Sequence, residues 1–553
     1  MAVPVPTKWW HRSVVYQIYP RSFQDSNGDG IGDLQGIISR LDYLKTLGVD
    51  IVWLSPIYRS PQDDNGYDIS DYRDIDPMFG TLADFDELIS QAKARDIKIV
   101  MDLVVNHSSD EHAWFQESRS SKDNPKADWY IWRPAKPDGT PPNDWRSFFS
   151  GTAWQWDESR GEYYLHLFSK KQPDLNWENP EVRAAVFEMM NWWLDRGIAG
   201  FRMDVIDLIS KQPGLPDGDA FTNSVNGPRF QEWLQEMHRE VFAHREGTIT
   251  VGETGGLTPP VAQVITDPAN AMLDMAFQFQ VVAIDTGNGK WDRRPFEVGK
   301  LREVLDRWQV ALADVGWNTL FWENHDQPRV VSRFGDDVNY RVESAKALAT
   351  LLHLHRGTPY IFQGGELGMT NFPFRGIDDF RDVETLNHFA EVRAAGGDEE
   401  AALAGYRFFG RDNSRTPMQW DDSAQAGFTT GTPWIAVNPN YPAVNAAAAV
   451  ADSDSVFAHY RELIRLRRED DVVAFGDYHL LLPDDQRVYG LARTLGAEGI
   501  VTLVNLSSES QNVRLDAEWA RPDARVLLSN LADSPALAGE LTLRPWEAVV
   551  YRW

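Results

Sequence analysis

Three acidic residues stand out because each follows a short run of β-branched or aromatic residues. Asp204 ends GFRMD, Glu253 follows TITVG, and Asp326 follows TLFWENH. In a barrel of parallel strands, chemistry collects at the carboxyl ends of the strands, so these side chains are expected to converge despite their separation along the chain. Two converging carboxylates are the usual minimum for hydrolysis of a glycosidic bond.

Eight strand-like runs supply the elements that must position these carboxylates. They start at Val14, Val49, Asp96, Gly200, Thr248, Ala271, Thr319 and Thr358. Segments between them, such as FDELISQAKARD and VRAAVFEMMNWWLDRG, have apolar residues at the three- and four-residue spacing of helices. Eight alternating strands and helices predict a closed (β/α)8 TIM barrel of the α/β class.

Two further regions depart from this alternation. A long interval after the third strand, rich in Trp, Pro, Asp and Gly, predicts an inserted subdomain over the catalytic face, because ordinary loops between strand and helix are short. Near the C-terminus, runs such as VYGLART and GIVTLVNL predict an antiparallel β domain. The predicted domains are the barrel, 1–107 and 172–475, the insertion, 108–171, and a C-terminal β-sandwich, 476–553.

Composition narrows the possible partners. The formal charge of -28 disfavours nucleic acid and anionic membranes, which bind cationic surfaces. There is no cysteine, hence no disulfide, thiolate site or cysteine nucleophile. The first residues, MAVPVPTKWWHR, lack the apolar stretch of a leader peptide, and no later segment resembles a membrane span. We expect a cytoplasmic protein that acts on a small neutral substrate, as a monomer or a small oligomer.

The blocks DLVVNH, GFRMDVI, GET and ENHDQP occur in the order and spacing of the four signature regions of the α-amylase family of glycoside hydrolases. QPDLNW and RDNSRTPMQW are similar to the oligo-1,6-glucosidase branch, which includes dextran glucosidases, isomaltases and sucrose isomerases. The resemblance covers nearly the whole chain. It implies a retaining mechanism with Asp204 as nucleophile, Glu253 as acid/base and Asp326 as transition-state stabiliser.

The resemblance also implies a pocket for one terminal glucose, and therefore an exo-acting enzyme. Arg202, His107 and His325 match residues that contact this glucose. Asp64, with Arg411 as its ionic partner, and Tyr67 match residues that close the pocket. Phe149 and Phe168 match its aromatic walls, although both also fit a packed core. From the residues alone, Arg202 is expected to keep Asp204 ionised, and burial to raise the pKa of Glu253.

Val205, which directly follows Asp204, gives an indication of the substrate. A valine here resembles branch members that prefer α-1,6 bonds, so isomaltose and isomaltooligosaccharides are the expected substrates. An α-1,4-glucosidase and a sucrose-active, transglycosylating or isomerising relative remain alternatives. The segment 283–296, AIDTGNGKWDRRPF, differs from the arginine-rich loop of sucrose isomerases and favours hydrolysis. A non-catalytic transporter-ancillary relative is disfavoured, because the three carboxylates are present.

The segment DSNGDGIGD places oxygen donors at alternate positions, as in the first part of an EF-hand loop. The bidentate glutamate expected at the twelfth position is replaced by Gly36, so a solvated acidic turn is the alternative. The resemblance favours a structural Ca²⁺ held by Asp25, Asn27, Asp29, the Ile31 carbonyl and Asp33.

Overall fold

The computed structural model describes residues 8–553. Met1–Thr7, on which the predicted barrel segment 1–107 and the prediction about a leader peptide both partly depend, lie outside the described residues. Among residues 8–553, no helix combines the length and apolar character needed to cross a membrane.

All eight predicted barrel strands are present and lie parallel in one sheet. They are β1 Val15–Ile18, β2 Ile51–Leu54, β3 Lys98–Val104, β4 Gly200–Asp204, β5 Ile249–Glu253, β6 Met275–Phe277, β7 Thr319–Leu320 and β8 Thr358–Phe362. Each strand pairs with the next, β8 also pairs with β1, and a parallel bridge between Ala276 and Asn318 joins β6 to β7. The predicted (β/α)8 barrel is therefore confirmed.

Helices follow each strand and pack against the barrel. The main ones are Leu34–Ser39, Leu41–Leu47, Leu82–Lys93, Pro180–Arg196, Phe230–Met237, Pro259–Ile265, Val298–Ala311, Arg341–Leu354 and Val456–Glu469. Local sequence sets their ends. Asn179 caps Pro180–Arg196 by accepting the Glu181 N–H, and Gly197 ends it with φ 112°, a conformation that glycine adopts without strain.

Two barrel strands are shorter than their apolar runs. The run from Ala271 forms only the three residues of β6, and the run from Thr319 only the two residues of β7. After β7 the chain turns because Asn324 Oδ1 accepts the Asp326 N–H and Glu323 Oε2 accepts the Val330 N–H. Asp326 therefore lies six residues beyond β7, in a loop, and not at the strand end that the sequence predicts.

The chain between β3 and β4 carries the helix Ala113–Ser120 and a three-stranded antiparallel sheet of Trp132–Arg133, Glu162–Leu165 and Trp154–Asp157. Between β8 and the C-terminal domain lie the helices Val383–Ala394, Glu399–Phe409, Asp412–Arg415, Ala446–Ala451 and Asp471–Phe475. The boundaries of the insertion at 108 and 171 stay predictions.

The C-terminal region contains the predicted antiparallel sheet. Its strands are Asp477–Leu481, Val488–Leu495, Glu498–Asn505, Ala548–Arg552 and Arg525–Ser529, in that spatial order. Gln511–Arg514 and Glu540–Leu543 pair separately. A cluster of apolar side chains that includes Val501, Leu543 and Tyr551 is buried between them.

Candidate active site

The carboxyl ends of β4 and β5 bring two of the predicted carboxylates together. Asp204 is the last residue of β4 and Glu253 the last of β5, and these strands are neighbours. Both are buried, with 6% and 7% of their surface exposed. Parallel strands place their carboxyl ends at one edge, so this proximity follows directly from the barrel.

Arg202, on β4, connects these carboxylates to a third. Its Nη1 lies 2.6 Å from Asp102 Oδ1 and 2.7 Å from Asp204 Oδ1, and its Nη2 lies 2.7 Å from Glu253 Oε2. Glu253 Oε2 also accepts the Val205 N–H at 3.0 Å. Val205 has φ 35° and ψ 42°, a left-handed conformation that turns its N–H toward Glu253.

One guanidinium cannot neutralise three buried carboxylates. Burial raises the pKa of Asp204 well above its ordinary value; Arg202 opposes this shift, while Glu253 and Asp102 add to it. Burial likewise raises the pKa of Asp102 to about 6. Arg202 does lower the pKa of Asp204, as expected, but burial and the two neighbouring carboxylates outweigh it, so the net effect on Asp204 is a pKa well above its ordinary value.

Asp326 lies in a different electrostatic environment. Its Oδ1 accepts hydrogen bonds from Arg415 Nη2 at 2.7 Å and Arg411 Nη1 at 3.3 Å. Burial acts to raise the pKa of Asp326, but His325, Arg411 and Arg415 outweigh it and hold that pKa far below its ordinary value. Burial lowers the pKa of His325 to about 3, so near neutral pH the two arginines supply the positive charge.

Ten of the predicted site residues line one pocket of about 440 Å³. They are Asp64, Tyr67, His107, Phe149, Phe168, Asp204, Val205, Glu253, Asp326 and Arg411. This volume falls in the usual range for small-molecule sites. Arg202 and His325, each 1% exposed, do not line the pocket but contact residues that do. A second cavity, near the start of β5, contains none of the predicted residues.

The predicted ion pair forms part of this lining. Asp64 Oδ1 accepts a hydrogen bond from Arg411 Nη2 at 3.0 Å, and both side chains are nearly buried. Burial raises the pKa of Asp64 to about 6, against the lowering effect of Arg411. Arg411 also lies 4.9 Å from the centre of the Phe149 ring.

The two predicted histidines are held as neutral rings. His107 Nε2 lies 3.1 Å from the Tyr67 carbonyl oxygen, and burial lowers its pKa to about 4. His325 stacks on the Tyr67 ring at 5.1 Å, and its Nε2 lies 3.3 Å from Asp326 Oδ2. The Tyr67 hydroxyl donates to Asp102 Oδ2 at 3.0 Å.

Several residues of the site received no role from the sequence. Asp102 accepts hydrogen bonds from Arg202, Tyr67 and Trp53. Asp382 accepts hydrogen bonds from Arg411, and Arg415 holds Asp326. Asp102 and Arg415 fall inside the blocks DLVVNH and RDNSRTPMQW, which was the available signal. Asp382 stands outside every block.

The loop of the predicted calcium ligands lies after β1 and before the helix Leu34–Ser39. Asp25 accepts the N–H groups of Asn27, Gly28 and Gly30, and Asp33 accepts those of Ser26 and Gly36. Burial acts to raise the pKa of Asp25, but hydrogen bonds from Thr429 and these N–H groups lower it overall. In residues 8–553, no three acidic or histidine side chains are grouped as a metal site. Calcium binding stays a prediction.

The comparisons with known proteins agree with this geometry. The catalytic-domain model of the alpha-amylase family matches residues 17–476, most of the chain. The chain belongs to the alpha-amylase family. This confirms the resemblance seen in the sequence.

Among the relatives of this family member, the oligo-1,6-glucosidase of Parageobacillus thermoglucosidasius is 56% identical over 98% of this chain and 99% of its own length. Among solved structures, the trehalose-6-phosphate hydrolase of Bacillus licheniformis is 48% identical with a TM-score of 0.94, over 99% of this chain and all of its own. The isomaltulose synthase of Erwinia rhapontici is 43% identical with a TM-score of 0.96, over 99% of both chains. The two solved structures, which are named for different reactions, thus share the fold of nearly the whole chain.

Proposed function

We propose that this protein is a retaining, exo-acting α-glucosidase that hydrolyses α-1,6 bonds at the non-reducing ends of isomaltose and isomaltooligosaccharides and releases glucose. The main support is the pair Asp204 and Glu253, held on one arginine at the end of adjacent strands and lining the pocket. The relative named oligo-1,6-glucosidase, 56% identical over nearly its full length, supports the linkage.

The two carboxylates divide the work in two steps. In the first, an Asp204 oxygen attacks the anomeric carbon while the bond to the leaving sugar breaks, and the leaving oxygen takes a proton from Glu253. In the second, Glu253 takes a proton from water, whose oxygen displaces Asp204 from the glucosyl ester. Two inversions at one carbon release α-glucose.

The surroundings of Arg202 bear on this sequence of steps. One arginine faces three buried carboxylates, and the pKa of Asp204 is raised well above its ordinary value. The first step requires Glu253 to carry the proton that the leaving oxygen takes, and Asp204 to be ionised as the nucleophile. Asp326, kept ionised by its arginines, is the acceptor for the hydroxyl groups of the distorted sugar.

Attack at chain ends is supported by the ion pair of Asp64 and Arg411. The pair is buried, and Asp382 holds Arg411 from behind through two contacts at 2.8 and 2.5 Å. A longer glucan threading past this wall would have to separate buried charges, which costs several kcal/mol. The pocket therefore fits one terminal glucose.

The cations of the pocket argue for an uncharged substrate. Three basic side chains line it, and each contacts a carboxylate: Lys290 with Glu384 at 2.5 Å, Arg333 with Asp285 at 2.6 Å, and Arg411 with Asp64. A phosphorylated disaccharide would need positive charge that these pairs do not offer. This distinguishes the proposal from the reaction named for the trehalose-6-phosphate hydrolase.

Hydrolysis in place of isomerisation is supported by the segment 283–296. It forms a hairpin of Thr286–Gly287 and Gly289–Arg293, and its Lys290 is paired with Glu384. An α-1,4-glucosidase and a sucrose-active enzyme share the same three carboxylates and remain the alternatives.

We further propose a structural Ca²⁺ in the loop of Asp25, Asn27, Asp29, Ile31 and Asp33. The donors are all oxygens, as Ca²⁺ prefers, and Asn27 Oδ1 and Asp29 Oδ1 each accept one N–H and retain a second lone pair. Each Asp25 oxygen accepts two hydrogen bonds, so Ca²⁺ would have to replace some of them. The loop packs against Thr429 and not against the catalytic pocket. Added Ca²⁺ is expected to raise the melting temperature and a chelator to lower it, with no change in the kcat of the folded enzyme; an unchanged melting temperature would exclude the site.

We also propose that the enzyme is cytoplasmic and monomeric. Support comes from the strong acidic charge and the absence of cysteine. Cell fractionation and light scattering on the purified protein test the two parts separately.

The function is tested by supplying isomaltose, maltose, sucrose and trehalose 6-phosphate separately and resolving the products by chromatography. Rapid glucose from isomaltose and slow reaction of the other three support the proposal. Faster attack on maltose, or isomaltulose formed from sucrose, would replace it with the corresponding alternative.

A further inference from the structure

Arg415 contacts the predicted transition-state stabiliser from outside the pocket. It ends the short helix Asp412–Arg415, and its side chain is 0% exposed. Its Nη2 donates to Asp326 Oδ1 at 2.7 Å, and its Nε donates to the His325 carbonyl oxygen at 3.0 Å. One rigid guanidinium thus fixes both the side chain and the backbone of the loop after β7.

Arg411 cannot replace Arg415 in this position. Arg411 lines the pocket and divides its charge among Asp64, Asp382 and Asp326, and its contact with Asp326 is the longer one, at 3.3 Å. Arg415 has a closer contact with Asp326, and its other acidic neighbour, Asp382, is 3.6 Å away. Of the two arginines that contact the Asp326 carboxylate, Arg415 is therefore the closer one.

We propose that Arg415 is a positioning residue for catalysis, which orients the Asp326 carboxylate toward the bound sugar without touching the sugar itself. The loop needs such an anchor because β7 ends six residues before Asp326. This inference rests on the proposed function, in which Asp326 stabilises the transition state.

The ionisation of Asp326 depends on the charged and titratable groups around it. These are His325, Arg411, Arg415, Lys290, Asp64 and Tyr67. Without Arg415, one shared arginine faces Asp64, Asp382 and Asp326, so the pKa of Asp326 rises and its ionised form is lost at a higher pH than in the wild type. The sign is that of any carboxylate whose pKa is held low by a cation.

The test compares Arg415→Gln and Arg415→Lys with the wild type, on isomaltose and on p-nitrophenyl α-glucoside. We expect Arg415→Gln to lower kcat at least about tenfold while KM changes less than about threefold. The acid limb of the pH profile should become steeper, because Asp326 then titrates closer to Asp204. Arg415→Lys, which keeps the charge but reaches only one of the two acceptors, is expected to recover part of kcat and most of the acid limb.

Arg467→Gln is the matched control. Arg467 is equally buried and donates to the carbonyl groups of His353 and His355, but it has no contact with the pocket. A folded Arg415→Gln with wild-type kcat and pH profile, or an equal loss in Arg467→Gln, would overturn the proposal. If Arg415→Gln does not fold, Arg415→Lys decides: wild-type kcat in that variant contradicts the role. A wild type that cleaves only p-nitrophenyl α-glucoside would refute the linkage and leave this test intact.

Discussion

The two sides of the pocket handle negative charge in opposite ways. At the ends of β4 and β5, Arg202 faces Asp102, Asp204 and Glu253, and the pKa of Asp204 is raised. At the loop after β7, Arg411 and Arg415 hold Asp326, whose pKa is lowered. Burial opposes ionisation at both places, so the number of nearby cations accounts for the difference.

This contrast matches what the proposed mechanism requires of the two sides. Acid/base catalysis needs a proton that can be released and recovered near neutral pH, and a crowded set of carboxylates supplies one. Stabilising a positively charged transition state needs a permanent anion, and two arginines ensure it. The same type of side chain can thus serve as an acid or as a fixed charge, depending on its neighbours.

We call the ends of β4 and β5, with Asp102, Asp204 and Glu253, the acidic side of the pocket. The largest effect there is expected for Asp204→Asn. An amide cannot form the glucosyl ester, so kcat on isomaltose is expected to fall about 10⁴-fold or more, with the circular dichroism spectrum unchanged. Steady-state kinetics on the purified variant measure this. Turnover within tenfold of the wild type would remove Asp204 from the role of nucleophile.

Glu253→Gln separates the acid from the nucleophile. We expect a fall in kcat of about 10³-fold on isomaltose, because the leaving sugar can no longer be protonated. For p-nitrophenyl α-glucoside, whose leaving group needs little protonation, the first step should be much less affected, so a burst of p-nitrophenol is expected before slow turnover. Equal losses in the first step on both substrates would argue against an acid role.

Asp102→Asn reduces the crowding around Arg202. Loss of one negative charge lets Arg202 act more strongly on Asp204, whose pKa falls, so the acid limb of kcat/KM should move down by about half to one pH unit. A fall in kcat of about tenfold is expected as well, because an amide cannot accept from both Arg202 and Tyr67.

Asp274→Asn is the control for this shift, since Asp274 is also largely buried but lines the other cavity, near the start of β5. It should leave the acid limb in place. Movement of the limb to higher pH in Asp102→Asn would contradict the charge-sharing explanation.

Val205→Thr changes the acidic side without changing its charge. The expected result is a fall of about fivefold in the ratio of kcat/KM for isomaltose over maltose, corresponding to about 1 kcal/mol of fit beside the leaving sugar. The acid limb should stay where it is. A ratio equal to that of the wild type would show that Val205 does not set the linkage preference.

The sequence predicted the acidic side well. Alternating strands and helices require the ends of β4 and β5 to be adjacent, so Asp204 and Glu253 had to meet once the barrel was recognised. The pocket residues Asp64, Tyr67 and Arg411 came from the family resemblance and not from spacing, because Asp64 and Arg411 are far apart in the chain.

The other side of the pocket, where Arg411 and Arg415 contact Asp326, was predicted less completely from the sequence. The apolar run before Asp326 reads as a strand, but the strand has only two residues. In the loop that follows, the N–H groups of Asp326 and Val330 donate to side-chain oxygens of Asn324 and Glu323. The contacts of Arg415 and Asp382 join distant segments, and no local periodicity marks them. The direction of the pKa shift of Asp204 also needed the structure, because it depends on how many carboxylates share Arg202.

The central claim is retaining hydrolysis of an α-1,6 bond, and proton NMR of isomaltose during the first minutes of reaction tests it most directly. If Asp204 and Glu253 act in the two steps described, α-glucose accumulates first and the β anomer forms only by mutarotation. Initial release of β-glucose, or no cleavage of isomaltose under conditions where maltose is consumed, would contradict the account.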